Sequence, residues 1–154
     1  MTEPSLRERA LHHLARRDHS RAELARKLAP HGSAEEIETV LDRMDELSLQ
    51  SDARMAANWV RSHAGRFGRA RLQSELAHRG LSPELIAETL ANDDLLADEH
   101  DRARAVWQAK FPAPPTDARD WARQARFLHA RGFSAETVRA VLRETPENTE
   151  ENAQ

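Results

Sequence analysis

The amino-acid sequence predicts an all-α protein built from three tandem three-helix repeats of helix-turn-helix type. The main observation is a helix-stop glycine followed, directly or after one residue, by a helix-start serine at three places. Glycine adopts the left-handed conformation that ends a helix, and serine caps the free amides of the next one. A second observation is that no stretch alternates apolar and polar residues as a strand does. The junctions are Gly32-Ser33, Gly80-Leu81-Ser82 and Gly132-Phe133-Ser134.

The spacing of the junction glycines sets the size of the repeat. They lie 48 and then 52 residues apart, which suits three short helices better than two. We therefore expect a first repeat over residues 1–50, a second over 51–93 and a third over 94–145. The acidic segment 146–154 lacks the apolar residues needed for a core and is expected to be disordered.

Helical periodicity and capping residues predict each element in order. Ser20 with Glu23, and Ser33 with Glu36, have the spacing of capping boxes. Leu81 and Phe133 are expected to pack on Ile86 and Val138, five residues on, as hydrophobic staples. The first junction lacks such a residue, which predicts a tighter turn. The predicted helices span residues 5–17, 21–30, 34–48, 52–64, 69–79, 83–92, 95–110, 117–131 and 135–145.

Apolar stripes at helical spacing predict several small cores rather than one large core. Only 5% of the residues are aromatic, whereas 32% are charged. Trp59 and Trp107 stand 48 residues apart at equivalent places, and each is expected to anchor a local core. The stripes of the first repeat are Leu6, Ala10, Leu14, Leu24, Leu28, Ile37, Val40, Leu41, Met44 and Leu47.

Composition also indicates a compartment. The chain has no cysteine, no apolar run long enough to cross a bilayer and no apolar N-terminal signal segment. We expect a cytoplasmic protein without disulfides and without membrane contact.

The net charge of −3 conceals blocks of opposite sign. Residues 54–79 sum to +5, residues 80–101 to −7 and residues 102–143 to +6. Basic blocks of this kind predict an anionic partner.

A search for catalytic, metal and cofactor motifs finds none. There is no glycine-rich phosphate loop, and adjacent His12 and His13 point about 100° apart on a helix, which is poor geometry for one metal ion. Asp93 or Asp94 is expected to cap the helix that follows, with the rest of the acidic run to Asp101 as solvated surface. The sequence therefore predicts a protein that is not an enzyme.

The arginines are the candidate binding residues. Several share one helix face by their spacing, and others flank Gly65 and Gly68 at a helix junction. A phosphate backbone or an acidic protein groove would be attracted to such a surface. The predicted contact residues are Arg54, Arg61, Arg66, Arg69, Arg71, Arg79, Arg119, Arg123 and Arg126.

Three stretches together resemble the RecX family of regulatory proteins, which modulate the recombinase RecA. They are Ser20-Arg21-Ala22-Glu23-Leu24 with Lys27-Leu28; Ala56 to Val60, Phe67-Gly68, Glu75-Leu76 and Arg79-Gly80; and Arg126-Phe127-Leu128 with Arg131-Gly132-Phe133-Ser134. The family often has Gly-Pro after the second-repeat aromatic, where this chain has Gly68-Arg69.

The resemblance implies an elongated, curved right-handed array of repeats that lies in the groove of the RecA filament on DNA. It implies an inhibitor that blocks filament growth and reduces ATP hydrolysis, strand exchange and SOS repressor cleavage. The expected partners are the RecA filament and single- or double-stranded DNA, for a monomer without cofactors. Whether RecA or DNA dominates the contact, and whether the protein caps filament ends or coats the groove, stays open.

Two other functions remain as alternatives. A helix-turn-helix transcription regulator is the chief one, but the third helices begin with carboxylates, Glu35-Glu36, Glu84 and Glu136, which would repel phosphates. The other is a helical adaptor with protein partners only.

Overall fold

The computed structural model describes residues 2–143 and is all-helical over that range. The fold class is as predicted, and no strand occurs among these residues. The predicted tail 146–154 lies outside the described residues. The helices are α1 (Leu6–Arg16), α2 (Arg21–Leu28), α3 (Ala34–Glu46), α4 (Asp52–His63), α5 (Arg69–His78), α6 (Pro83–Leu90), α7 (Glu99–Lys110), α8 (Ala118–Ala130) and α9 (Ala135–Arg143).

The chain divides into two compact units. Within the described residues, the first comprises residues 2–59 and 75–89, and the second comprises residues 60–74 and 90–143. Helices α4 and α5 each contribute residues to both units. No helix in the described part of the chain is long and apolar enough to span a membrane.

Each unit has its own apolar core. In the first, helices α1, α2 and α3 pack together, as the apolar stripes predict. In the second, α7, α8 and α9 pack together, with the Trp107 Nε1–H donating to Gln124 Oε1 at 2.7 Å. The core of the first three helices is Ala10, Leu24, Leu28, Ile37, Leu41 and Met44; that of the last three includes Val106, Trp107, Phe111, Leu128, Phe133, Val138 and Leu142.

The two predicted capping boxes are present. The Ser20 hydroxyl accepts from the Glu23 N–H at 3.0 Å, and the Glu23 carboxylate accepts from the Ser20 N–H at 3.1 Å. Ser33 and Glu36 repeat the arrangement at α3. These bonds satisfy amides that the first helical turn leaves without partners.

Two of the three junction glycines end their helices as predicted. Gly80 has φ +82° and Gly132 has φ +92°. The Gly80 N–H donates to the Ala77 carbonyl at 3.0 Å, and the next residue, Leu81, donates to the Leu76 carbonyl at 3.4 Å. The second turn has the same pair of bonds, so both are Schellman motifs. The residues that follow, Leu81 and Phe133, are buried.

The first junction differs from the prediction. Gly32 is extended, with φ −169°, because a 3-10 turn over Ala29–His31 has already ended α2. Five residues, 29–33, separate α2 from α3, whereas four separate the helices at each of the other junctions. The expected tighter turn is therefore wrong.

Three further predictions need correction. Helix α7 begins at Glu99 rather than 95, and neither Asp93 nor Asp94 caps it; the Asn92 side chain instead accepts from the Asp94 N–H at 2.9 Å and forms a separate turn. Leu47 is 39% exposed, because α3 ends before it. Trp59 is half-buried, unlike buried Trp107.

Candidate functional site

The start of α5 packs against the turn that ends α8, within the second compact unit. The Gly68 N–H donates to the Arg131 carbonyl at 2.7 Å, and the Ala70 N–H donates to the Gly132 carbonyl at 3.3 Å. A Cβ atom on Gly68 would lie 2.4 Å from the Gly132 carbonyl oxygen, and one on Gly132 would lie 2.4 Å from Arg71 Cβ. Both glycines are therefore required by the close approach of the two backbones.

This junction brings together four cations and two aromatic rings. The Arg71 guanidinium carbon lies 4.2 Å from the centre of the Phe67 ring, and that of Arg131 lies 5.1 Å from the centre of the Phe127 ring. Arg66 and Lys110 lie near the same two rings, at 5.6 and 5.7 Å. We call these six residues the basic–aromatic surface: Arg66, Phe67, Arg71, Lys110, Phe127 and Arg131.

The positive charge of this surface is not compensated by nearby carboxylates. Among residues 2–143, none of its four cations forms an ion pair with Asp or Glu. Arg71 donates to the Ala130 carbonyl at 3.2 Å, which fixes its position without neutralising it. Rings that lie beneath guanidinium groups favour the cation. The Phe67 ring also stacks on the His63 ring, with the ring centres 6.1 Å apart.

Only two of the nine predicted arginines, Arg66 and Arg71, belong to this surface. Arg61, Arg119 and Arg126 are exposed elsewhere on α4 and α8. Arg69 donates its backbone N–H to Glu99 at 2.9 Å, at the position where the family often has proline, and its side chain donates to the Leu90 carbonyl at 3.3 Å.

Three of the predicted arginines have carboxylate partners inside the chain. Arg54 contacts Asp18 at 3.3 Å and also donates to the Ser48 and Leu49 carbonyls. Arg79 pairs with Glu75 at 2.9 Å and lies over the Trp59 ring. Arg123 pairs with Asp120 at 2.6 Å, and this bond is the main reason that the pKa of Asp120 is lowered. Each of these three guanidinium groups therefore has a carboxylate partner within the chain.

Arg102 contributes no surface charge, although it falls in the basic block 102–143. It is buried and donates to the carbonyls of Ala97, Ala64 and Phe67 at 3.0, 3.1 and 2.5 Å. Burial lowers its pKa. Its guanidinium joins the end of α4 to the start of α7 through backbone contacts alone.

The acidic run contains one group of potential metal ligands. Oxygen and nitrogen atoms of Asp98, His100 and Asp101 lie within 4.8 Å of one another. Arg104 donates to Asp101 at 3.2 Å and lies 3.2 Å from the His100 Nδ1 atom, so a guanidinium already supplies positive charge there. Glu99 is also engaged, because it accepts from the Thr137 hydroxyl and the Arg69 N–H.

Sequence reasoning missed Lys110, Arg131 and both phenylalanines of the basic–aromatic surface. A usable signal exists: Arg71 follows Phe67 by four residues, and Arg131 follows Phe127 by four. For Phe127 and Arg131, at the end of α8, helical geometry brings the guanidinium towards the ring. Phe67 lies before the start of α5, so its contact with Arg71 depends on the path of the connection rather than on helical spacing. This repeated spacing was available in the sequence, whereas the approach of the two pairs depends on the tertiary contact.

The fold and this surface define a helical-repeat protein with three tandem three-helix domains. Family models described as the first, second and third three-helix domains of RecX match residues 7–44, 51–90 and 97–142. The chain belongs to the RecX family of regulatory proteins.

Several curated relatives are similar over most of their length. A regulatory protein RecX from Leptothrix cholodnii is 51% identical over 140 residues, covering 90% of this chain and 88% of the relative. One from Ralstonia nicotianae is 45% identical, covering 90% and 86%. These relatives are named as regulatory proteins, and neither name denotes an enzyme.

Solved structures share the fold. The crystal structure of RecX from Lactobacillus salivarius has a TM-score of 0.73 at 17% identity and covers 90% of this chain and 92% of that one. A second RecX crystal structure has the same TM-score at 18% identity, covering 90% and 72%.

Proposed function

We propose that this protein inhibits the RecA recombinase by binding in the groove of the RecA–DNA filament. Bound there, it blocks filament extension and reduces ATP hydrolysis, strand exchange and SOS coprotease activity. Membership of the RecX family supports this role. The structural observation behind it is the basic–aromatic surface, whose four cations have no carboxylate partner among residues 2–143.

The chemistry of this surface suits an anionic polymer. Phosphates and acidic side chains are attracted by uncompensated guanidinium groups, and release of counterions makes such binding sensitive to salt. We infer that Arg66, Arg71, Lys110 and Arg131 bind the filament, with Arg61, Arg119 and Arg126 as further exposed cations.

The tandem organisation supports binding to a repeating partner. A monomer with three domains, with the boundaries proposed near residues 50 and 93, would contact more than one filament subunit. Linked contacts raise the effective concentration of the second binding event, so each domain needs only weak affinity. The protein would act in the cytoplasm without a cofactor.

The decisive experiment measures ATP hydrolysis by RecA on single-stranded DNA while the protein is added. We expect hydrolysis to slow at substoichiometric ratios. The double variant Arg71→Glu with Arg131→Glu should need at least about tenfold more protein for the same effect, since two phosphate or carboxylate contacts become repulsive. Arg139→Glu, an exposed arginine of α9, serves as the control with a single charge reversal.

Two results would contradict the proposal. Hydrolysis that is unchanged at excess wild-type protein excludes filament inhibition. Equal potency of the double variant and wild type excludes the basic–aromatic surface. A gel shift on naked duplex with random competitor tests the transcription-regulator alternative, which requires a sequence preference.

A further inference from the structure

A cavity of about 420 Å³, open to solvent, lies in the first compact unit and shares no residue with the basic–aromatic surface. Its volume falls in the range of roughly 300–1,000 Å³ that small-ligand sites occupy. The cavity is bounded by the C-terminal end of α1, the loop that follows and the last turn of α2. Its lining consists of His13, Arg16, Arg17, His19 and Lys27, all of them basic residues.

The protonation state of His19 follows from its two hydrogen bonds. The ring is 2% exposed, with Nδ1 3.0 Å from the Arg17 carbonyl and Nε2 2.8 Å from Lys27 Nζ. A lysine ammonium can only donate, so Nε2 accepts and Nδ1 bears the hydrogen. Burial is the main cause of the lowered pKa of His19 and reinforces the neutral form. The imidazole thus holds the Lys27 ammonium at the cavity.

The cations of the cavity exceed the carboxylates beside it. Glu23 accepts from Arg17 at 3.0 Å, whereas Arg16 and Lys27 have no ion pair with Asp or Glu in the described range. Burial, followed by the charge of Arg17, lowers the pKa of Lys27. The pKa of His13 is also lowered, first by burial and then by Lys27. An anion in the cavity would relieve this crowding of positive charge.

We propose that this cavity binds a phosphate group through Lys27, Arg16 and the imidazole of His13. A guanidinium and an ammonium are the usual partners of phosphate oxygens. The phosphate belongs either to a free nucleotide or to a nucleic acid, and the chemistry of binding is the same for both. This site is independent of the proposed filament contact, because it shares no residue with the basic–aromatic surface.

The test follows the imidazole NMR signals of the full chain as inorganic phosphate is added at constant ionic strength. We expect the His13 and His19 signals to shift saturably in the millimolar range. Lys27→Gln should weaken binding about tenfold, the loss of one charge-assisted hydrogen bond. Arg26→Gln, which removes an exposed charge one residue away, should leave it unchanged. Arg16→Gln, at an exposed position, repeats the test if Lys27→Gln lowers stability.

The pH dependence gives an independent readout. A bound dianion raises the pKa of the nearby His13 imidazole, so the affinity for sulfate, a phosphate analogue whose charge does not change in this range, should increase as the pH falls from about 7.5 to about 6. The groups that face His13 are His12, Arg16, Arg17, Lys27 and the His19 ring, 5.7 Å away. Those that face His19 are the same His13 ring, Glu23, Arg17 and Lys27. Equal affinity at both pH values would overturn the assignment of the imidazoles.

Separate titrations distinguish the two sources of phosphate. A nucleoside triphosphate that saturates the shifts at lower concentration than a single-stranded oligonucleotide identifies a free nucleotide as the ligand, and the reverse order identifies nucleic acid. Shifts that rise linearly to about 100 mM phosphate, or that are equal in Lys27→Gln and Arg26→Gln, overturn the proposal. Neither outcome depends on RecA.

Discussion

At the scale of single residues, the main finding is that arginines of similar sequence context differ in their burial and in the groups that they contact. Arg71 lies over an aromatic ring, and it has no carboxylate partner among residues 2–143. Arg54 donates hydrogen bonds to loop carbonyls, and Arg102 is buried. Sequence alone could not separate them, because the distinction depends on which backbone carbonyls the fold brings within reach. The net charge of a block therefore overestimates the charge available for binding.

Replacing Arg102 tests whether its buried guanidinium stabilises the fold by joining the end of α4 to the start of α7. Arg102→Lys should lower the free energy of unfolding by about 2–3 kcal/mol, because a lysine cannot reach all three carbonyls and leaves buried acceptors without donors. Arg104→Lys, on the same helix and partly exposed, should cost less than about 1 kcal/mol. Urea unfolding of both variants gives the comparison; equal losses would contradict the buried role.

Ser48 is a residue whose backbone the fold holds in a conformation that is unfavourable for any residue other than glycine. It has φ +58° after α3, where the Ser48 N–H donates to the Asp45 carbonyl at 2.9 Å and the Leu49 N–H donates to the Met44 carbonyl at 2.9 Å. This is the same left-handed turn that Gly80 and Gly132 form with glycine.

Ser48→Gly should therefore stabilise the protein by about 0.5–1 kcal/mol, since glycine adopts this conformation without a Cβ clash. Ser74→Gly, inside α5 and exposed, should have the opposite sign because glycine weakens helix interiors. Thermal unfolding distinguishes them, and a loss of stability in Ser48→Gly would contradict the prediction.

At the scale of elements, helix positions were largely predictable because caps and periodicity are local. Eight of the nine helices in the described range begin within one residue of their predicted starts. The exception, α7, begins four residues late because the Asn92 turn occupies the acidic run. The contact of Gly68 with Gly132 could not be predicted, since it joins residues 64 positions apart.

Because the backbones of Gly68 and Gly132 lie in close contact, adding one methyl group at Gly132 should strongly reduce stability. Gly132→Ala should cost about 2–4 kcal/mol, because alanine at φ +92° is strained and its Cβ would lie 2.5 Å from the Arg71 backbone nitrogen. Gly65→Ala meets nothing within 4 Å and should change stability by less than about 0.5 kcal/mol. Calorimetry of the pair measures this; equal midpoints would refute the close approach.

The capping boxes predict how stability depends on pH. Burial alone would raise the pKa of Glu23, but the bonds from Arg17 and the Ser20 N–H outweigh it and lower that pKa; the Ser33 N–H lowers the pKa of Glu36. Carboxylates with lowered pKa values stabilise the fold fully above their unfolded pKa of about 4.3, and that contribution is lost as the pH falls below this value and through the lower pKa of the folded state.

Replacing these carboxylates should therefore change how the free energy of unfolding depends on pH at low pH. In Glu23→Gln with Glu36→Gln, stability should be lower near neutral pH and should fall less steeply below about pH 5. Glu88→Gln, an exposed residue of α6, is the control. Chemical unfolding across the pH range provides the measurement, and parallel curves for wild type and double variant would contradict it.

At the scale of the whole molecule, a chain with net charge −3 is proposed to bind an anionic filament. Such binding requires charges to be separated on the surface rather than balanced, as the basic–aromatic surface suggests. The double variant Arg71→Gln with Arg131→Gln removes two charges. It should reduce the magnitude of the slope of log affinity against log salt concentration by about 1–2. Anisotropy of labelled filaments in a salt series tests this, and an unchanged slope would exclude the surface.

The left-handed turns have a consequence for the order of the domains. The Arg79 carbonyl accepts from the Ser20 hydroxyl, and the Arg131 carbonyl accepts from the Gly68 N–H, so each turn is completed by a different group from the domain before it. We therefore expect the three domains not to be interchangeable. If the first domain were joined directly to the third, Ser20 would take the place of Gly68, where an added Cβ atom lies 2.4 Å from the Gly132 carbonyl oxygen.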